Sequence, residues 1–477
     1  MNRSTRNMIN WAIALLLMFG FGFIPPLGGD ITPLGMQVLG VFIGLLYGWC
    51  CLEFLPVSFV ALLALGLTDY TTVLGAFGTG FSNSMALQIL LLLLFAGYLS
   101  SSGLPTLITA WFLTRKVLKG RPYLLFGAIF ICGGVLMGLG LSFGAIFLIW
   151  AVLYDLFGKL GYTKDDKLVP YLLFGVTVVA VIGYAVPNFQ IFPITVIGIL
   201  EQTLNMSTPV GSWWLYNILY LLLYTIVYLL FGKFILKLDV SKFEGKDDLF
   251  DALKSQSITI QQRVAMGVTI LFIALNLLPV MLPDDWSITA FLAKFGLVGA
   301  AAAVMGITTV IQVDGKPIAD WEKDARTINW GLLSMFVAVA PISTALESND
   351  AGIISTLVSI FGPMLNGLPV YAFYIATLVL FFVLTQFCHN LVLAMVLTPT
   401  LLVFCVQTGG NPVVLIAGIN VACQMAYLTP GASSPAAMFH GNSEWVNVKD
   451  GYFFGATGSL LGLAVLLLTL PLADLIF

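Results

Sequence analysis

Long apolar runs separated by short polar loops are the feature that most restricts the fold of this chain. MALQILLLLLFAGYL at 85–99 is one such run, and 59% of the 477 residues are hydrophobic whereas 9% are charged. A soluble domain carries about 25% charged residues. In a bilayer, each spanning segment has to satisfy its own backbone hydrogen bonds, which an α-helix does. The pattern therefore predicts an all-α polytopic membrane protein.

The apolar runs predict about 11 transmembrane helices. The first run follows Arg3 and Arg6 and is not followed by an A-x-A-like cleavage site, so we interpret it as an uncleaved span and not as a signal peptide. The predicted spans are 9–26, 34–50, 54–68, 84–99, 168–186, 212–236, 264–282, 295–312, 331–346, 412–429 and 451–473.

Two longer regions, 122–158 and 367–406, do not have the pattern of ordinary spans. Their centres are glycine-rich or polar, with GGVLMGLGLSFG at 133–144 and TQFCHN at 385–390. Non-helical backbone at membrane depth is tolerated only where it is buried in protein or lines a water-filled cavity. We therefore predict two re-entrant helical hairpins, each made of two half-length helices that meet at a polar tip.

The distribution of Lys and Arg predicts the orientation of the chain. With eleven spans and two hairpins, all twenty basic residues except Lys294 fall on the same side. Cytoplasmic loops carry the excess of Lys and Arg in membrane proteins. The prediction is an integral protein of the plasma (inner) membrane, with a cytoplasmic N-terminus and the C-terminus outside.

The two halves of the chain resemble each other in layout. After each hairpin, an apolar segment is interrupted by two prolines, in AVIGYAVPNFQIFP at 180–193 and in MAYLTPGASSPAAMF at 425–439. We expect a first repeat within 1–240, a cytoplasmic linker at 241–262 and a second repeat within 263–477. One hairpin would enter from the cytoplasm and the other from outside, which makes the repeats inverted.

Inverted repeats with broken helices at matching positions are typical of secondary transporters. Their binding site is expected near the bilayer midplane, where the hairpin tips meet the unwound segments. At such a place free backbone carbonyls can hold a cation, and helix N-termini can face an anion.

Three segments carry a resemblance to a known family. WCCLEFLPVSFVALLAL at 49–65, TQFCHNL at 385–391 and AYLTPGASSPA at 426–436 match the order of its motifs, which read W-x-T-E-x-x-P-x-x-x-T-A-L-L, T-E-F-T-S-N-T and A-F-M-L-P-x-x-T-P-P-N-A. The chain thus resembles the divalent anion:sodium symporters, which carry dicarboxylates, citrate or sulfate. The resemblance implies Na⁺ and substrate contacts at both hairpin tips, and a homodimer.

The repeat and the resemblance together give the candidate site residues. For solute binding they are Ser142, Gly144, Asn188, His389, Asn390, Thr429, Ser433 and Ser434. For ion coupling they are Ser142, Gly183, Thr385, His389 and Asn390. The coupling ion is expected to be Na⁺, held at the hairpin tips, or H⁺, and no other cofactor is expected.

Two candidates have alternative interpretations. His389 titrates near neutral pH when unperturbed, so it suits proton coupling or donation to an anion, and the alternative is a neutral histidine that is hydrogen-bonded across a helix interface. Asn390 can offer a carbonyl oxygen to a cation and an N–H to an anion. Its alternative role is a helix cap at the hairpin tip.

The sequence therefore predicts an ion-coupled secondary active transporter of a small, anionic, carboxylate-type solute that works by alternating access. The alternatives within transport are a proton-coupled antiporter and an oxyanion exporter, and outside it a channel, a receptor or an intramembrane enzyme. No H-E-x-x-H motif supports zinc proteolysis and no G-x-x-x-x-G-K-[ST] motif supports ATP drive. We expect no enzymatic activity, and a net charge of −3 gives no indication of a nucleic-acid partner.

Overall fold

The computed structural model describes residues 3–141, 144–243, 258–283, 285–313, 315–326, 328–353, 355–356, 359, 368–387 and 389–477. Within these ranges the chain is helical almost throughout. The described strands are two short antiparallel ones, in which Gln312 pairs with Pro317 and Val313 with Lys316. This confirms the predicted all-α class.

Eleven helices are described before residue 244. They are α1 (Arg3–Leu15), α2 (Pro33–Cys51), α3 (Phe54–Gly66), α4 (Val73–Ser82), α5 (Ser84–Ser101), α6 (Leu104–Leu113), α7 (Pro122–Gly138), α8 (Gly144–Leu160), α9 (Leu168–Tyr184), α10 (Ile191–Leu204) and α11 (Val210–Leu230). One π-helical turn extends α1 over Leu16–Gly20, and another extends α11 over Phe231–Ile235.

Ten further helices have described bounds after residue 257. They are α12 (Ile260–Met281), α13 (Ser287–Ala293), α14 (Gly296–Val310), α15 (Trp321–Ala325), α16 (Trp330–Glu347), α17 (Val370–Leu384), α18 (Asn390–Gln407), α19 (Pro412–Ala422), α20 (Ser434–Gly441) and α21 (Val448–Ile476). The predicted linker 241–262 lies mostly outside the described residues, so the division into two repeats around it stays a prediction.

Seven of the described helical segments are long and apolar enough to cross a membrane. They are Ser4–Phe23, Pro33–Cys51, Ser84–Ser101, Val210–Ile235, Ile260–Pro279, Asn390–Gln407 and Val448–Ile476. The pair α13 and α14, bent by 82°, forms an eighth if it is counted as one span. The chain is thus an integral membrane protein with many apolar helices, as the sequence predicted.

The structure differs from the predicted spans in helix length. The predicted spans 54–68, 168–186, 331–346 and 412–429 correspond to shorter apolar helices, and α19 ends at Ala422 because the chain unwinds there. The structure also contains α4, α6 and α10, which were not predicted as separate helices. The second limb of the second hairpin, α18, is not half-length, because its 18 residues suffice for a span.

The helix pairs of both predicted hairpins pack together, α7 with α8 and α17 with α18, and their re-entrant course through the membrane stays a prediction. In the first, α7 ends at Gly138, and Gly140 adopts a left-handed conformation with φ of 93° that glycine reaches without steric cost. The tip residues 142–143 and residue 388 lie outside the described residues. The opposite orientation of the two hairpins stays a prediction.

Two helices that precede an unwound segment form the centre of the molecule. Every residue of α9 from Leu168 to Gly183 is buried, and so is every residue of α19. After α9 the chain is non-helical from 185 to 190, and after α19 it is non-helical from 423 to 433. Pro187 lies in the first unwound segment, and its missing N–H disfavours continuation of α9.

A stripe of buried tyrosines on α11 fixes the helices around this centre. Tyr220 and Tyr224 donate hydrogen bonds to the carbonyl oxygens of Gly462 (2.8 Å) and Gly458 (3.1 Å) on α21. Tyr228 donates to Tyr171 on α9 at 3.0 Å. Buried phenol groups are stabilised when the hydroxyl finds a partner. The stripe therefore holds α11 against α9 and α21.

Candidate functional site

The tip of the second hairpin is hydrogen-bonded to the second unwound segment. The Thr385 hydroxyl donates to the carbonyl oxygen of Cys423 at 3.1 Å, and the Asn390 amide donates to the same oxygen at 2.6 Å. The Asn390 side chain thus reaches across to the unwound segment. His389 occupies the N-cap position of α18, where its side chain makes no capping hydrogen bond. The alternative role of Asn390 as a helix cap is therefore not what the structure shows.

Gln386 forms the most extensive contact at this tip. Its amide nitrogen donates to the carbonyl oxygens of Met425 at 2.7 Å and Phe382 at 3.0 Å, and its amide oxygen accepts from the N–H of Leu428 at 3.1 Å. The side chain is 4% exposed. The sequence prediction did not name Gln386, although it is the second residue of the polar patch TQFCHN.

Two further carbonyl groups of the second unwound segment accept hydrogen bonds from α20 and its cap. The Ser433 hydroxyl donates to Ala426 at 2.7 Å and also caps α20 by accepting from the N–H of Ala436. His440 Nε2 is hydrogen-bonded to the carbonyl of Tyr427 at 3.0 Å. The unwound backbone is therefore held by side chains instead of by helical hydrogen bonds.

The first hairpin meets the first unwound segment through a second glutamine. The amide of Gln190, 6% exposed, donates to the carbonyl oxygen of Gly138 at the end of α7, with a distance of 2.7 Å. Next to it, Gly183 on α9 packs directly on Gly134 of α7, so that a methyl group on Gly183 would collide with the Gly134 backbone. The structure thus places the predicted ion-coupling residue Gly183 in a close helix–helix contact.

A fully buried asparagine connects the two unwound regions. The amide of Asn420, in the last turns of α19, donates to the carbonyl oxygen of Ala185 at 3.0 Å and to Asn217 Oδ1 at 3.2 Å. Ala185 is the first residue after α9. The end of the helix that precedes the second break therefore contacts the start of the first break. Sequence analysis missed Asn420, because it stands alone within an apolar run.

The remaining predicted site residues lie in different places. His389 packs edge-to-face on Phe54 of α3, with ring centroids 5.5 Å apart. Thr429 is half-buried in the second unwound segment, whereas Ser434 at the start of α20 and Gly144 at the start of α8 are exposed. Ser142 lies outside the described residues. Thr385, Asn390 and Ser433 are thus the predicted residues that the structure brings together around 423–433.

Asn188, in the first unwound segment, accepts a hydrogen bond from the Trp214 indole at 3.0 Å and lines a cavity of about 300 Å³. The cavity lies between α10 and the helices α5, α12 and α14. Among the described residues that line it, Glu201 is the only charged one. Its other polar lining residues are Ser84, Gln88, Thr208 and Asn276. The cavity has the size and polarity for a small polar solute.

In the part of the chain that the structure describes, no group of three or more His, Cys, Asp or Glu residues could hold a metal ion. At the two junctions between a hairpin and an unwound segment, 138–144 with 185–190 and 385–390 with 423–433, the sequence has no Asp or Glu, so oxygen ligands there would be backbone carbonyls, hydroxyls and amides.

Comparisons with known proteins point to membrane transporters. No family model matches the chain. The sodium-dependent high-affinity dicarboxylate transporter 3 of Caenorhabditis elegans is 26% identical over 165 residues, which are 33% of this chain and 28% of that transporter. The match thus spans less than a third of the relative's length.

Two solved structures share the fold at low sequence identity. MtrF of Neisseria gonorrhoeae, described as illuminating a class of antimetabolite efflux pumps, superposes with a TM-score of 0.56 at 16% identity over 83% of each chain. The YdaH transporter of Alcanivorax borkumensis, described as having an unusual topology, gives 0.59 at 14% identity over 92% of this chain and 98% of that one.

The chain therefore has the fold of membrane transporters, and the comparisons indicate a transporter and not an enzyme, as the sequence predicted. The comparisons support a transporter family. Membership of the divalent anion:sodium symporters in particular stays a prediction.

Proposed function

We propose that this protein is a secondary active transporter that moves a small, carboxylate-type solute across the membrane by alternating access. The observation that carries the proposal is the pairing, in each half of the chain, of a helical hairpin with an interrupted helix. A buried glutamine joins them at each junction, Gln190 in the first half and Gln386 in the second.

This arrangement suits transport because the hydrogen bonds between each hairpin and its broken helix are made by neutral side chains and involve non-helical segments. Broken helices place free backbone groups inside the membrane, where they can bind a solute or exchange partners as two bundles move. The solute class is supported by the matched relative, a dicarboxylate transporter by name. As further parts of the proposal, the protein is coupled to Na⁺ or H⁺, forms a homodimer, and lies in the plasma (inner) membrane with a cytoplasmic N-terminus.

The test is uptake by the purified protein in proteoliposomes. Dicarboxylates, citrate, sulfate and monocarboxylates are offered singly, with a sodium gradient and a proton gradient imposed in separate experiments. We expect at least one carboxylate to accumulate against its gradient. Failure of every solute under both gradients would reject transport of this class, and accumulation of sulfate alone would favour the oxyanion alternative.

A site variant and a matched control make the test specific to the second junction. Asn390→Ala removes an amide that bonds the tip to Cys423, and we expect it to lower uptake at least tenfold, because this partly buried hydrogen bond holds the tip against the unwound segment. Tyr371→Phe removes an exposed hydrogen bond to Asp474 and should leave uptake unchanged. Equal rates for Asn390→Ala and wild type would contradict the proposed place of the site.

A further inference from the structure

The second junction can be tested for its fit to a sodium ion, the coupling ion that the family resemblance implies. A Na⁺ ion would need several oxygen ligands that face one point. Neither the tip 385–390 nor the unwound segment 423–433 contains an Asp or Glu. The ligands would therefore have to be backbone carbonyls of the unwound segment together with the side-chain oxygens of the tip.

These carbonyl groups already accept hydrogen bonds from neutral side chains. The Cys423 oxygen accepts two, from Thr385 and Asn390. A carbonyl oxygen has two lone pairs, so its capacity is filled. Met425, Ala426 and Tyr427 each accept one, and the donors are Gln386, Ser433 and His440. Four of the five carbonyls from 423 to 427 are thus engaged by side chains, and a cation that bound the Cys423 oxygen would have to displace a donor.

The Gln386 side chain makes the electrostatic contact with the unwound segment that a bound cation would make. Its N–H group points positive charge at the Met425 oxygen from 2.7 Å, and its own oxygen holds the Leu428 N–H. A buried amide with both ends bonded in this way fixes the tip to the unwound segment without a net charge.

The first junction contains a hydrogen bond of the same kind. There the glutamine comes from the unwound segment and not from the hairpin, and Gln190 donates to the end of α7 at Gly138. In both halves, a buried glutamine amide thus meets a carbonyl oxygen at the junction of hairpin and broken helix.

We propose that Gln386 is an internal amide clamp that takes the place of a coupling cation, so that the second junction closes without Na⁺. The inference rests on the proposed function, because it concerns the coupling of that transport. It predicts that a sodium gradient does not act through this tip.

The experiment measures sodium binding directly and uses no solute, so its result stands whether or not a transported solute is found. The thermal midpoint of the purified wild-type protein is compared in NaCl and in choline chloride at equal ionic strength, and binding of radiolabelled Na⁺ is measured in parallel. We expect no sodium-specific shift and no saturable binding. A saturable rise of the midpoint with Na⁺, accompanied by Na⁺ binding, would overturn the inference.

A charge-introducing variant tests whether Gln386 is the group responsible. Gln386→Glu replaces the amide donor by a carboxylate beside the Met425 carbonyl, and at mildly alkaline pH we expect a sodium-dependent rise of the thermal midpoint that the wild type lacks. The matched control is Gln262→Glu, since Gln262 also donates to a carbonyl oxygen, that of Gly103, but lies in a helix capping box that tolerates Glu. No gain in Gln386→Glu, or an equal gain in the control, would refute the assignment to Gln386.

If Gln386→Glu does not fold, hydrogen–deuterium exchange of the wild-type protein provides a second test. In the wild type, the peptide that contains 423–433 includes the Leu428 N–H bonded to Gln386. We expect its exchange to be the same in NaCl and choline chloride. Slower exchange in Na⁺ would show that the ion closes the junction, and the clamp would be rejected.

Discussion

The two junctions between hairpin and broken helix are built in different ways. In the first, the backbones of Gly134 and Gly183 are in direct contact, and one described side-chain amide, that of Gln190, reinforces them. In the second, the hairpin donates hydrogen bonds to the unwound backbone from the side chains of Thr385, Gln386 and Asn390. One junction is a close helix–helix contact, and the other is a network of neutral polar groups.

The difference between the two junctions indicates which of them should open more easily during transport. A glycine contact between two helices has no side chain that can rotate away, so the helices separate as rigid elements or not at all. Side-chain hydrogen bonds can exchange one acceptor for another at small net cost. We therefore expect the second junction to open during transport while the first stays packed.

The largest expected effect comes from filling the glycine contact. Gly183→Ala places a methyl group against the Gly134 backbone, which cannot yield as a side chain would. We expect a loss of about 3 kcal/mol or more in unfolding free energy, at the upper end for overpacking. The measurement is thermal and denaturant unfolding in detergent micelles.

Gly144→Ala is the matched control for this prediction. A Cβ at Gly144 meets no atom of the described residues within 4 Å, its chain neighbours aside. Alanine also has the higher helix propensity, so we expect no change or a stabilisation of up to about 1 kcal/mol. Similar stabilities of the two variants would mean that the first junction is not a close-packed contact.

The architecture of both junctions could be predicted from the sequence because its signals are local. Proline pairs mark the unwound segments, and polar tips such as TQFCHN mark the hairpins, so the helix pairs and the breaks were found within a few residues. The boundary at 412–429 was wrong, because the apolar residues after Ala422 are buried as non-helical backbone and hydropathy does not distinguish the two states.

The partners within the junctions could not be predicted in the same way. Gln386 and Asn420 bond to backbone carbonyls, and a carbonyl acceptor carries no residue-type signature. The ion-coupling role of Gly183 stays a prediction, but its contact with Gly134 was not predicted, because it joins positions almost fifty residues apart in sequence and depends on how α7 and α9 pack. Such contacts are visible only after the helices have been placed.

Gln386 and Gln190 can be compared by making the same substitution at each position. Gln386→Met removes two donated hydrogen bonds and one accepted hydrogen bond, whereas Gln190→Met removes one donated bond. Methionine has similar length and helix propensity. We expect a loss of about 2 kcal/mol for Gln386→Met and about 1 kcal/mol for Gln190→Met, because each buried group left without a partner carries a cost. Equal losses in denaturant unfolding would remove the distinction between the junctions.

An effect as small as that of Gln190→Met is expected at Asn420, which links the two unwound regions. Asn420→Leu breaks the hydrogen bonds to Ala185 and Asn217, but it also removes the Asn420 amide oxygen, which has no hydrogen-bond partner in the described part of the chain. Because the two changes oppose each other, the loss of stability should be about 1 kcal/mol. Asn276→Leu is the control, since Asn276 donates to Phe272 one helical turn earlier and joins no separate elements.

A double-mutant cycle tests whether Asn420 couples to its neighbour on α11. Asn420→Leu and Asn217→Leu share one hydrogen bond, so their combined loss of unfolding free energy should be smaller than the sum by about 0.5–1 kcal/mol, as for contacting residues. The pair Asn276→Leu and Asn217→Leu should be additive, because no hydrogen bond joins these side chains in the described structure. Additivity of Asn420 with Asn217 would mean that the hydrogen bond between these two side chains contributes little to stability.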